Sequence, residues 1–260
     1  MSLRFRRRCA PIPVGRYPAA ANVRRMTTIT LTAADGHTFP AYVATPDGAP
    51  RGGIVVIQEI FGVNGHIREV ADGYAAAGYV AVAPAVYARA GAPGAGDGGP
   101  FGVELGYTQD DIARGLEIRA AVALDDVVAD IAAAADEARR RSGGRVGAVG
   151  YCWGGFLATA AAQRLAGTVD AAVGYYGGGI AASLLDATPV APLLLHFAED
   201  DHAIPMGDVD AVRAAFSDVP VHVYGGAQHG FNCDQRATYQ AQAARVALGR
   251  TLRFFFTHVG

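Results

Sequence analysis

The sequence predicts an α/β fold with a mostly parallel central sheet and helices on both faces. Two observations predict it: short, wholly apolar runs rich in Val, Ile and Ala recur along the chain, and stretches with helical spacing separate them. A strand covered on both faces has no solvent side, so its sequence does not alternate; an apolar run of four to six residues between turn residues is its signature. A 260-residue chain that is 51% hydrophobic and 18% charged can bury such a sheet. Apolar runs broken by Gly or charge well short of ~20 residues predict no membrane-spanning helix.

The elements follow in order. Thr28–Thr32 and Phe39–Ala44 flank Asp35-Gly36, a hairpin signal. Ile54–Ile57 is the first buried strand. A helix over about Ile67–Ala77 ends at Gly78, a residue suited to the left-handed cap. Tyr79–Ala83 is the next strand, and Ala92–Gly102, rich in Gly and Pro, is a loop. The spacing of Ile112, Leu116, Ala120, Ala123, Val127 and Ile131 predicts one long helix from Asp110 to Arg141, its basic end matching the helix dipole. Strands are then expected at Arg145–Val149, Ala171–Tyr175, Leu193–Phe197 and Val221–Tyr224. Helices are expected over Phe156–Leu165, Val209–Phe216 and Tyr239–Phe256.

Charge divides the chain. All 22 basic residues are Arg, and seven of them (Arg4, Arg6, Arg7, Arg8, Arg16, Arg24, Arg25) precede Met26 without any acid. The remainder carries 15 basic against 24 acidic residues, a balance that predicts no general affinity for nucleic acid. The segment 1–25 lacks the unbroken apolar stretch of a secretory signal and the amphipathic period of a transit peptide. It is expected to be a disordered extension, or the product of a start codon placed too early, ahead of a catalytic domain spanning 26–260. Three cysteines (Cys9, Cys152, Cys233) make no disulfide framework and no zinc spacing, and such sparing use fits a reducing cytoplasm.

In sheets of this kind chemistry collects at the carboxyl ends of the strands, and four such ends carry reactive residues. Gly150-Tyr151-Cys152-Trp153-Gly154-Gly155 is the G-x-S-x-G nucleophile elbow with Cys in place of Ser, between a strand and a helix. The following helix start directs N–H groups at the thiol and favours its anion. Ala198–Pro205 contains Asp200 and Asp201, either of which can orient a base. His229, flanked by Gly in a loop, is the candidate base. His196 and His222 lie within strands, His37, His66 and His258 lack strand-end context, and His202 is the weaker rival. Gln58-Glu59-Ile60-Phe61-Gly62 ends the Ile54 strand; there the amide of Ile60, with that of Trp153, is expected to form an oxyanion hole, and Glu59 stands at the mouth. The order nucleophile, acid, His is that of the α/β-hydrolase fold.

Together, Gln58–Asn64, Tyr87-Ala88-Arg89, Gly150–Gly155, Asp201 with Ile204-Pro205, and His229-Gly230-Phe231 resemble the dienelactone hydrolase family (carboxymethylenebutenolidases), in order and from about Met26 to the C-terminus. The resemblance implies a Cys152-His229-Asp201 triad that cleaves an enol-lactone or related ester through an acyl-enzyme, without metal or cofactor. It selects Asp201 over Asp200 by its distance from Ile204-Pro205, and it gives Glu59 a part in forming the thiolate once substrate binds. It also implies substrate-carboxylate binding by Arg89. A second carboxylate-binding arginine is expected four residues after His229, where this chain has Cys233; Arg236 is one turn away. Two alternatives accompany that reading: a general esterase or thioesterase on the same scaffold, and a non-catalytic hydrolase-fold binding protein. The expected partner is a small ester or lactone, and the expected state a monomer or weak homo-oligomer.

Overall fold

A computed structural model describes residues 23–91 and 100–260. The expectations for most of segment 1–25 and for Cys9, and most of the predicted 92–102 loop, lie outside the described residues. The sheet has eight strands in the order β1-β2-β4-β3-β5-β6-β7-β8. These are β1 (Val23–Thr32), β2 (Thr38–Pro46), β3 (Gly53–Ile57), β4 (Val80–Pro84), β5 (Val146–Tyr151), β6 (Ala171–Tyr175), β7 (Leu193–Ala198) and β8 (Val221–Tyr224). The β1–β2 hairpin is antiparallel and joins the sheet through an antiparallel pairing of β2 with β4; every later pairing is parallel. Strand β1 starts at Val23, so it takes in three residues ahead of Met26, of which Val23 and Arg25 pair with Pro46 and Thr45 across a register shift.

The helices are α1 (Gly65–Ala76), α2 (Gln109–Ala120), α3 (Leu124–Ser142), α4 (Trp153–Arg164), α5 (Ile180–Ser183), α6 (Met206–Ala215) and α7 (Ala241–His258), with a 3-10 turn at Val86–Ala90. They cover both faces, and the strand pleat shows how. A side-chain carbon on Gly53 would strike Ala138 of α3, whereas one on Gly147 would strike Phe255 of α7. Gly53 pairs with Val146 and Ile54 with Gly147, so α3 and α7 lie on opposite sides of the same two strands. Tyr74 of α1 meets Phe255 edge-on at 6.0 Å, which puts α1 beside α7. The central strands β3 to β7 are buried along their whole length, as their unbroken apolar runs require.

One expectation is corrected. The single helix over 110–141 is two helices, broken at Ala121–Ala123. Leu116, counted on the core face, is 47% exposed. The break carries no Gly or Pro: α2 closes with short bonds from the amides of Ala121 and Val122 to Ile118 and Arg119, and α3 restarts with Asp125 and Asp126 in its first turn. A Thr108–Asp111 capping box starts α2.

Strand β3 is the switch point: the chain moves to β4 on one side and returns to β5 on the other. These strands run parallel, so the carboxyl ends of β3, β5, β6, β7 and β8 lie along one edge of the sheet, where such folds place their chemistry.

Candidate active site

Cys152 sits between β5 and α4 with φ 54° and ψ -118°, a strained backbone for a residue with a side chain. Its amide donates to Tyr175 O at 3.0 Å, and its carbonyl accepts from Gly155 at 2.9 Å, so both flanks of the turn are pinned. Only glycine fits the approach: a side-chain carbon on Gly150 would strike the Gly154 carbonyl, and one on Gly154 the Ile57 carbonyl. Helix α4 starts at Trp153, three residues earlier than its apolar pattern indicates, so Cys152 stands at the N-terminus of the helix, beside the first-turn amides of Trp153 and Gly154. Cys152 is partly exposed, and Trp153 to Ala162 behind it are buried.

His229 and Asp201 arrive from the loops after β8 and β7. His229 Nδ1 meets Asp201 Oδ2 at 2.8 Å, with the carboxylate side chain fully buried. Asp201 Oδ1 also accepts from the Ala203 amide at 2.9 Å, which holds the carboxylate in place. Asp200 is exposed, and His202 is exposed with its ring 6.0 Å from that of His229. Burial alone would push the His229 pKa down; the charge of Cys152 and hydrogen bonds to Asp201 and Cys152 outweigh it and raise it to about 10. The imidazole is thus tied to the buried carboxylate through Nδ1 and responds to the charge of Cys152.

The loop after β3 forms the facing wall. Gln58 Nε2 donates to Glu59 O at 3.3 Å, across the peptide whose other side is the Ile60 N–H. Tyr87 Oη contacts the carbonyls of Ile60 and Gly115, each at 3.0 Å, and its ring stacks on Trp153 at 5.4 Å. Tyr87 therefore ties the two segments that carry the expected oxyanion amides. Sequence reading gave Tyr87 no role, although it stands in the quoted Tyr-Ala-Arg stretch.

Glu59 is 1% exposed, and neither carboxylate oxygen has a hydrogen-bond partner. Arg236 Nη1 is 3.6 Å from Glu59 Oε1, and its guanidinium lies over Phe61 and Tyr107 at 5.6 and 5.9 Å. Gly230 makes room: a side-chain carbon there would strike Arg236 Nη1, so the guanidinium lies against the backbone next to His229.

The structure does not bring Arg89 into this group. Its Nε donates to Asp130 at 3.0 and 3.1 Å, Nη2 to Asp130 at 2.7 Å and Asp35 at 3.2 Å, and Nη1 to Asp35 at 2.5 Å. Two carboxylates, one fully buried, occupy the fork expected to hold a substrate carboxylate.

Tyr176 was missed. It follows β6 with φ 37°, is fully buried, packs 5.1 Å from the His229 ring, and has an unpartnered hydroxyl. Burial first, then the nearby Glu59, Cys233 and Cys152 charges against an opposing Arg236, hold its phenol protonated. A Tyr followed by three glycines at the end of a buried strand was the available signal.

Fold and strand-end constellation together define an α/β-hydrolase. Residues 39–259 match the dienelactone hydrolase family, and the chain belongs to it. Carboxymethylenebutenolidases of Pseudomonas putida and Pseudomonas knackmussii are each 38% identical over 234 residues, covering 87% of this chain and 94% of theirs. A crystal structure from Klebsiella pneumoniae subsp. pneumoniae that carries the dienelactone hydrolase name superposes with a TM-score of 0.73 at 29% identity, covering 89% of this chain and 99% of that one. A dienelactone hydrolase-like promiscuous phosphotriesterase from metagenomic libraries, 23% identical with a TM-score of 0.69, covers 91% of this chain and all of its own and shares the fold. The chain is a dienelactone hydrolase-like ester hydrolase. Among the described residues no helix is long and apolar enough to cross a membrane.

Proposed function

We propose that this protein hydrolyses an enol-lactone or related carboxylic ester by acyl transfer through a Cys152-His229-Asp201 triad. The observation that carries the reading is the 2.8 Å contact of His229 Nδ1 with the buried Asp201 carboxylate, with the strained, partly exposed Cys152 at the end of β5 in the same parallel set of strands. The thiolate attacks the carbonyl carbon, and the oxyanion is received by the amides of Ile60 and Trp153. Collapse breaks the acyl C–O bond, and imidazolium His229 returns the proton to the leaving oxygen. A water deprotonated by His229 then attacks the thioester, and the acid and the thiol are released. Asp201 keeps the Nδ1 proton in place and stabilises the charged ring.

Glu59 faces this chemistry as a carboxylate without donors, suited to take the thiol proton while substrate binds and to pass it to His229, which then delivers it to the leaving oxygen. Arg236 supports recognition of an anionic ester: it is the guanidinium beside Glu59 and the His229 loop, and unlike Arg89 it is not saturated by carboxylates. This favours a substrate that carries a carboxylate near its ester, as a dienelactone does.

Iodoacetamide tests the nucleophile. Alkylation of Cys152 should track loss of ester hydrolysis one for one and be slowed by substrate. Full alkylation of Cys152 with full activity would overturn the proposal. A panel of cis- and trans-dienelactone, simple lactones, aryl esters and thioesters then assigns the substrate.

A further inference from the structure

Glu59 has two further buried ligand types beside it. His66, the second residue of α1, is 3% exposed with no partner on Nε2. Cys233, fully buried, donates its thiol to Tyr107 Oη at 3.3 Å. One ligand atom from each of Glu59, His66 and Cys233 lies within 4.8 Å of the others. Three residues distant in sequence thus offer a carboxylate, an imidazole and a thiol to one point, and both Glu59 oxygens and His66 Nε2 are enclosed without a hydrogen-bond partner.

We propose that Glu59, His66 and Cys233 form a binding site for a divalent cation of the zinc class, with the fourth position left to water. A sulfur, nitrogen and oxygen set excludes magnesium and calcium and suits zinc or cobalt(II). Tetrahedral zinc holds such atoms about 3.5 Å apart, so the group closes by roughly 1 Å, within reach of side-chain rotation.

The surroundings fit a metal. Asp234 Oδ1 stands 3.7 Å from His66 Nδ1, a carboxylate on the ring edge opposite the unpartnered Nε2 and within reach of a bond to Nδ1–H once a cation is held. Tyr107 Oη accepts from both Asn64 Nδ2 at 3.2 Å and the Cys233 thiol, and so keeps its own proton to give. On binding, the Cys233 S–H proton leaves to solvent, a metal–sulfur bond forms, and no electron moves; Tyr107 then donates to the thiolate. Arg236 is the opposing charge. Glu59, the Cys233 thiolate and Asp234 together offset it and the divalent ion. No motif spacing announces this site, because the fold assembles it from the β3 end, the α1 start and the His229 loop.

A bound ion would hold Glu59 away from the reacting thiol. The site should therefore inhibit hydrolysis, a consequence that rests on the role proposed above for Glu59.

Cobalt(II) titration of the full-length Cys152→Ser protein tests the site without the competing nucleophile. One equivalent should bind with a near-ultraviolet thiolate-to-cobalt band, and zinc should displace it. Adding Cys233→Ser should abolish the band, and both it and His66→Gln, which leaves the thiol in place, should weaken zinc binding by more than the roughly 10–100-fold that loss of an outer-shell partner costs. Melting curves of the metal-free variants verify that each is folded. Absence of binding in Cys152→Ser, or a band that survives Cys233→Ser, would overturn the site. Stoichiometric binding to the wild type with undiminished hydrolysis would leave the site standing and overturn the role of Glu59 instead.

Discussion

Two buried carboxylates of this protein each hold a cation, and the pairs do different work. Asp130, fully buried on α3, binds the Arg89 guanidinium through three donor contacts while Asp35 takes the remaining edge. Asp201, equally buried, meets His229 through one 2.8 Å contact to Nδ1 and leaves the other ring nitrogen without a carboxylate. The first pair is closed: every strong donor is used inside the protein, so it fixes the 3-10 turn after β4 to α3 and the hairpin. The second is open on one side, as acid–base chemistry requires. Arg236 is an intermediate case, close to Glu59 but not hydrogen-bonded to it. A charged side chain near a crevice is available to substrate only when its geometry is left unfilled.

Exchanging the roles of the two pairs by mutation sharpens that contrast. Asp201→Asn should lower kcat by roughly 10⁴-fold, because it favours the wrong His229 tautomer, with melting as the control for folding. Arg89→Met should instead cost about 3–5 kcal/mol of stability by stranding Asp130, read as a fall in denaturation midpoint. Its relative rates on anionic and neutral esters should not change; a selective loss on anionic esters would return Arg89 to substrate binding. Arg236→Met should do what Arg89→Met does not, and lower kcat/KM about 10–100-fold for carboxylate-bearing lactones relative to a neutral aryl ester. Equal losses on both would remove Arg236 from recognition.

The contrast extends to pH dependence. The His229 pKa, raised from its ordinary 6.5 to about 10, means the folded state binds more protons than the unfolded between those values. Its stabilisation is complete below about pH 6.5 and is lost as pH rises through about 10. Denaturant midpoints of wild type and His229→Gln should accordingly converge as pH rises through that window. A difference that grows with pH would contradict the assigned pairing.

The contrast also marks what was legible in the sequence. The order of buried strands, the elbow at Cys152 and the strand-end positions of Asp201, His229 and Glu59 are local patterns, and the structure places them along one edge of the sheet. Their partners are not local. Nothing in Tyr87-Ala88-Arg89 reveals that Asp130, 41 residues on, fills the guanidinium. The α2–α3 break is silent because alanines can continue a helix or end one, and only packing decides. Tyr176 and His66 acquire their place from the fold, which turns one end of β6 and the start of α1 toward Glu59.

The central claim is that hydrolysis runs through the Cys152 sulfur. Ester turnover by Cys152→Ala, compared with wild type under saturating substrate, tests it most directly. The predicted result is a loss of roughly 10⁴-fold or more in a protein that melts normally. Turnover at the wild-type rate would contradict it.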